Sequence, residues 1–140
     1  MRFLETDGGK QFSHHPKEDR DCTVLAMAVA CGVSYDEAHD MLREAGRRRN
    51  CAFAFPSRRN LSAQIGDWWL EYYAPARGET LGRFADRNRT GSWIVGVNLP
   101  GEGGHIVAVR NGIVRDHPRW PEDTPLVEIW SLSRVPRFFD

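Results

Sequence analysis

The chain has 140 residues, 41% of them hydrophobic, enough for one domain with a real core and no need of disulfide staples. Nineteen basic and nineteen acidic residues cancel, so nothing in the balance asks for nucleic acid or an anionic membrane. The cysteine count of three is odd, the opening has no apolar signal core, and no run approaches the roughly 18 apolar residues of a membrane span, which together disfavour a disulfide framework and point to a cytoplasmic setting.

Residues 1–20 are polar, broken by Gly8, Gly9 and Pro16, and show no sustained period, which predicts an extended arm. His14 and His15 form no zinc-type spacing with Cys22, so they read as exposed loop histidines, and neither a metal nor a cofactor is expected. Lys17, Glu18, Asp19 and Arg20 form a mixed-charge run whose simplest state is solvated.

From Asp21 to Gly32 the sequence predicts the central helix. Asp21 is suited to the N-cap, Gly32 to the C-terminal stop, and Val24 to Ala30 is apolar on every side, so the rest of the domain must wrap around it. Cys22 then sits in the first turn, where free N–H groups and the helix dipole favour a thiolate. Cys31, nine positions on at about 100° per residue, faces elsewhere and reads as core packing.

Ser34-Tyr35-Asp36-Glu37 is a capping box that starts a second helix, with Tyr35, Ala38, Met41, Leu42 and Ala45 on its apolar face, Gly46 at its end and His39 at its boundary. Arg47 to Arg49 complete a solvated helix end, and Arg58 and Arg59 are a second local basic pair. Residues 46–67 carry no clear period beyond a short helix expected after Asn60. Trp68 to Ala74 predicts a strand, and Thr80 caps a short helix from Leu81 to about Asn88. From Ser92 on the pattern is sheet: strands at Trp93 to Val97, His105 to Val109, Ile113 to Asp116 and Leu126 to Leu132. The fold class expected is α+β, one domain over 1–140, with the N-terminal central helix packed on a C-terminal antiparallel sheet.

Asn111-Gly112 between apolar runs is a strong two-residue hairpin signal. Counting outward from it, Val109 faces Val114, Ala108 faces Arg115, and Asp116 falls on the same face as His105, within reach of a hydrogen bond. A carboxylate on one imidazole nitrogen fixes the tautomer and frees the other. If the central helix packs on that face with its N-terminus at His105, Cys22 becomes the nucleophile, His105 the base and Asp116 the orienting group.

This order, with Asp21-Cys22-Thr-Val-Leu-Ala-Met-Ala opening a helix and Gly104-His105-Ile-Val-Ala-Val leading through a hairpin to Asp116-His-Pro118, resembles the papain-like cysteine peptidases. Within them it is most similar to the compact bacteriocin-processing peptidase domains and their phage and bacterial relatives, over 21–45 and 92–118 but not 46–80. The resemblance implies a papain-like fold, a Cys22-His105-Asp116 triad and a peptide or protein substrate. It also implies an oxyanion-hole Gln about six residues before the nucleophile; Pro16 stands there, and Gln11 is the only glutamine upstream. The functions in play are therefore a cysteine-dependent peptidase or amide hydrolase, a weak or inactive papain-like binding module, and a cell-wall amidase. The sequence does not fix the oligomeric state.

Overall fold

A computed structural model describes residues 1–55, 61–99 and 103–136. Its centre is α1 (Cys22–Cys31), closed by Gly32 in the left-handed conformation at φ 67°. Thr23, Val24, Ala26, Met27, Ala28, Ala30 and Cys31 are all buried, as a helix apolar on every side requires. α2 (Tyr35–Glu44) follows at once, its N-cap Ser34 Oγ accepting from the Glu37 N–H at 3.1 Å, and it turns Tyr35, Ala38 and Leu42 inward. α3 (Leu81–Arg87) is capped by Thr80, which accepts from the Arg83 N–H at 3.4 Å.

Seven strands, β1 (Arg2–Glu5), β2 (Ser62–Ile65), β3 (Trp68–Tyr73), β4 (Ser92–Leu99), β5 (Gly103–Arg110), β6 (Ile113–Asp116) and β7 (Leu126–Arg134), form one sheet in the order β1-β6-β5-β4-β7-β3-β2. β1 pairs with β6 in parallel and the remaining neighbours are antiparallel. Strand alternation divides the core into two. On one face Ile94, Ala108, Leu70 and Trp130 pack with α1 and α2; on the other Val95, Val107, Val109 and Val114 pack with Leu81, Phe84 and Ala85 of α3. Side chains such as Leu70 and Leu81, 0% exposed, each contribute on the order of 2 kcal/mol by leaving water.

The α+β class and the packing of α1 on the sheet agree with the sequence. Several local expectations do not. The N-terminal arm begins as a strand, because Arg2 to Glu5 finds an open edge on β6, and Lys10–Phe12 makes a 3₁₀ turn. The helix expected after Asn60 is instead the edge strand β2, paired residue for residue with β3 from Ser62↔Glu71 to Ile65↔Trp68. Arg58 and Arg59 lie outside the described residues. Phe55 is core, its ring 5.3 Å from that of Trp130.

The solvated reading holds for Lys17, Asp19 and Arg20, which are exposed, and is corrected at Glu18 of that run and at Arg47 of the helix end. Glu18 and Arg47 are buried, with Arg47 Nη1 donating to Glu18 Oε1 at 2.8 Å. His39 is buried too, at the same carboxylate, and His15 stacks on it with ring centroids 3.7 Å apart. His14 is exposed as expected and meets Asp36 at 2.9 Å.

Candidate active site

The start of α1 is built differently from a simple carboxylate cap. Asp21 holds the N-cap position but makes no side-chain cap hydrogen bond. Its carboxylate is turned away, accepting from Tyr35 Oη at 2.7 Å and pairing with Lys10 Nζ at 2.9 Å. Burial and the Asp21 bond both push the Tyr35 phenol up, so Tyr35 stays a neutral donor. With Asp21 engaged elsewhere, its side chain does not occupy the first-turn N–H groups beside Cys22. A helix start of this kind keeps donors for an anion forming at the thiol.

The hairpin has the register counted from its turn. Asn111 and Gly112 both take positive φ, 52° and 73°, as a two-residue turn matched to strand twist demands. Arg110 faces Ile113, Val109 faces Val114 and Ala108 faces Arg115. At the far end His105 Nε2 lies 2.8 Å from Asp116 Oδ2. Asp116 is 2% exposed, and its carboxylate also accepts from the His117 N–H at 2.8 Å and from Trp120 Nε1 at 2.7 Å. The Trp120 ring lies on the His105 ring, with centroids 4.9 Å apart and planes 28° from parallel. The Thr6 N–H donates to the Asp116 carbonyl at 2.9 Å, so the N-terminal strand holds the hairpin end.

Trp120 was not anticipated. A tryptophan four positions after a candidate catalytic aspartate carries the relevant signal, since a buried indole N–H needs an acceptor and the carboxylate is the nearest one. The signal is weak without a structure because the 117–124 segment has no period to place it.

Cys22 and His105 meet. The Cys22 thiol shares a cleft with the His105 ring and is close enough to help raise it, and since Nε2 is engaged with Asp116, Nδ1 is the nitrogen left to face the thiol. Burial opposes charging of this imidazole, but the hydrogen bond and charge of Asp116, with the nearby Cys22, outweigh it and hold His105 up at about 9. The route by which they meet differs from the expected one. Val107 and Val109 lie under α3, whereas α1 covers the opposite face through Ala108. Contact is made where the first turn of α1 comes level with the beginning of β5, not across the face that carries His105.

A cleft of about 370 Å³ opens onto Cys22, His105 and Asp116. Lys10, Gln11 and Pro16 form part of its wall, and Leu25, His117 and Pro118 another part. Gln11, eleven positions before Cys22, therefore stands on the same cleft, placed by the 3₁₀ turn Lys10–Phe12 with its N–H 3.2 Å from Asp7 Oδ2. Pro16 is on that wall as well and brings no donor of its own.

The other cysteines are apart from this group. Cys31 is buried in the α1-side core, and burial pushes its thiol up to about 12 against the opposing charges of Arg110 and Arg134. Cys51 is exposed. Among the described residues no helix is long and apolar enough to cross a membrane. Compared with protein-family models, with curated proteins and with solved structures, the chain matches none.

Proposed function

We propose that the chain is a cysteine-dependent acyl-transfer enzyme of papain-like type that cleaves an amide bond in a peptide or protein substrate. The observation that carries the reading is the His105 imidazole, held by buried Asp116 at 2.8 Å and sharing one cleft with the thiol that opens an otherwise buried helix. A ring raised to about 9 is an imidazolium at neutral pH, which suits it to stabilise a Cys22 thiolate and to give up a proton later.

In this mechanism Cys22 Sγ attacks the carbonyl carbon, and the developing oxyanion takes hydrogen bonds from the first-turn N–H groups of α1 and from Gln11. The His105 proton passes to the leaving nitrogen as the C–N bond breaks, leaving a thioester on Cys22. Water then attacks the thioester, His105 takes its proton, and the C–S bond breaks to release the acid and restore the sulfur as thiolate beside the imidazolium. Asp116 keeps the imidazole oriented throughout and Trp120 covers the His105 ring.

The runner-up is a papain-like module with little turnover, favoured by Pro16 at the position where the resemblance asks for a glutamine. Removing one oxyanion donor costs on the order of 100-fold to 1000-fold in rate, so the contribution of Gln11 separates the two. The test is labelling with an acylating or alkylating thiol probe, followed by intact-mass measurement. Stoichiometric labelling lost in Cys22→Ser and strongly slowed in His105→Ala supports the enzyme; a rate at Cys22 no faster than at exposed Cys51 overturns it. Wild-type labelling combined with turnover that Gln11→Ala leaves unchanged would assign the oxyanion donor elsewhere.

A further inference from the structure

A second polar cluster is formed by His15, Glu18 and His39, one potential ligand atom from each lying within 4.8 Å of the others. We propose that these three side chains form a binding site for a divalent transition metal, of the class that takes two imidazoles and one carboxylate, with Zn²⁺ the best match to the donors.

His39 supplies the first reason. Its side chain is 6% exposed, yet neither ring nitrogen has a partner of proper hydrogen-bond geometry; Nε2 lies 3.3 Å from Glu18 Oε1 but misaligned. A buried imidazole must carry at least one N–H, and leaving it unpaired forfeits the hydrogen bond it would make in water. Its lone pair is correspondingly unused, and a metal is the partner that imidazole favours most often.

Glu18 supplies the second. Arg47 Nη1 at 2.8 Å and the Asn50 N–H at 2.9 Å both bind Oε1, and Oε2 takes neither contact. Outer partners on one carboxylate oxygen that leave the other for the ion are the arrangement by which protein metal sites orient their ligands.

His15 supplies entry and movement. It is half-buried on the loop before Glu18 and stacks on His39 with planes 11° apart. Stacked rings send their in-plane lone pairs side by side, so joint ligation at the usual Zn–N distance of about 2.0–2.1 Å turns His15 off the stack about its side-chain torsions. A loop position with a solvent side permits that turn, whereas His39 on α2 stays fixed. The Arg47 guanidinium opposes a second cation nearby, which sets this site below a closed structural zinc site in affinity.

The test is titration of the full chain with Co²⁺ and with Zn²⁺, followed by optical spectroscopy and calorimetry, in wild type and His15→Ala. The proposal expects one metal per chain, visible bands without an intense near-ultraviolet thiolate band, and at least a 10-fold loss of affinity in His15→Ala, since even outer-shell changes cost that much. His39→Gln, checked for native circular dichroism, repeats the loss from the buried side. Absence of saturable binding overturns the site, as does a thiolate band insensitive to His15→Ala, which would put the metal on Cys22 or Cys51. Because the readout is ligand identity, its failure leaves the acyl-transfer reading intact, and failure of that reading leaves this result unaffected.

Discussion

Two polar clusters flank the start of α1 and were assembled in opposite ways. His105 and Asp116 are separated by 11 positions across one hairpin, and a two-residue turn suffices to bring them together. Glu18 and Arg47 are separated by 29 positions, and it takes both α1 and α2 in place to join them. The first pair presents a ring to a cleft; the second is sealed, with Arg47 also donating to the Asp19 and Arg20 carbonyls at 3.1 and 3.4 Å, just before Cys22. The difference teaches which cluster shapes the chain and which acts through it. Breaking the sealed pair strands a charge and attacks the fold, while changing the hairpin pair alters chemistry on a fold that survives.

The largest expected effect is therefore on stability. Arg47→Met leaves Glu18 buried and unpaired and should cost about 3–5 kcal/mol, read as a lower denaturation midpoint. The double variant Arg47→Met, Glu18→Leu should recover much of that loss. Equal stability of Arg47→Met and wild type would show that the pair does not hold the loop before Cys22.

Next in size is the reactivity of Cys22. Iodoacetamide at neutral pH should modify Cys22 much faster than exposed Cys51, and Cys31 slowest of the three, its thiol being buried and pushed up to about 12. Asp116→Asn should slow Cys22 by an order of magnitude or more while costing only about 1–3 kcal/mol in stability. An unchanged alkylation rate would mean that Asp116 does not orient the ring.

The two clusters should also titrate at opposite ends. Glu18 is depressed from its ordinary 4.5 to about 2, so the stability it contributes is complete above 4.5 and is lost as pH falls toward 2. His105 is raised from 6.5 to about 9, so its contribution is complete below 6.5 and is lost as pH rises toward 9. Denaturation measured across pH should lose its acid arm in Glu18→Gln and its alkaline arm in Asp116→Asn. If each variant flattens the other arm, the assignment is reversed.

The smallest effect is a shift in one titration. The His105 ring proton resonance should move with a midpoint near 9 in wild type, lower in Cys22→Ala and lower still in Asp116→Asn, in the order of the two partners' contributions. A midpoint at the ordinary value in wild type would remove the ion-pair step from the mechanism.

Much of this was legible in the residues because it depends on near neighbours. Asp21 to Gly32 could be read as a buried helix from its composition and its terminal glycine, and Ser34 and Thr80 as caps from their spacing. The positive φ of Asn111 and Gly112 fixes strand register, and register alternation carries His105 and Asp116 to one face. Local chemistry also misled where a partner lay far away. Asp21 looks like a cap until Tyr35 and Lys10 compete for it, and Glu18 looks solvated until Arg47 arrives. Charge alone does not say whether it will be exposed; desolvation is repaid only by a partner, and that partner comes from another element.

The sequence by itself determined the helix that begins at Cys22, the hairpin and the His105–Asp116 pair, since turn geometry and side-chain period act over a few residues. Only the tertiary structure decided that α1 covers the Ala108 face and reaches His105 at the beginning of β5, that Arg2 to Glu5 joins the sheet beside β6, and that Trp120 lies over the ring. Each of these depends on which apolar face is left to bury and which edge is left to pair once the other elements are in place, and no local spacing records that.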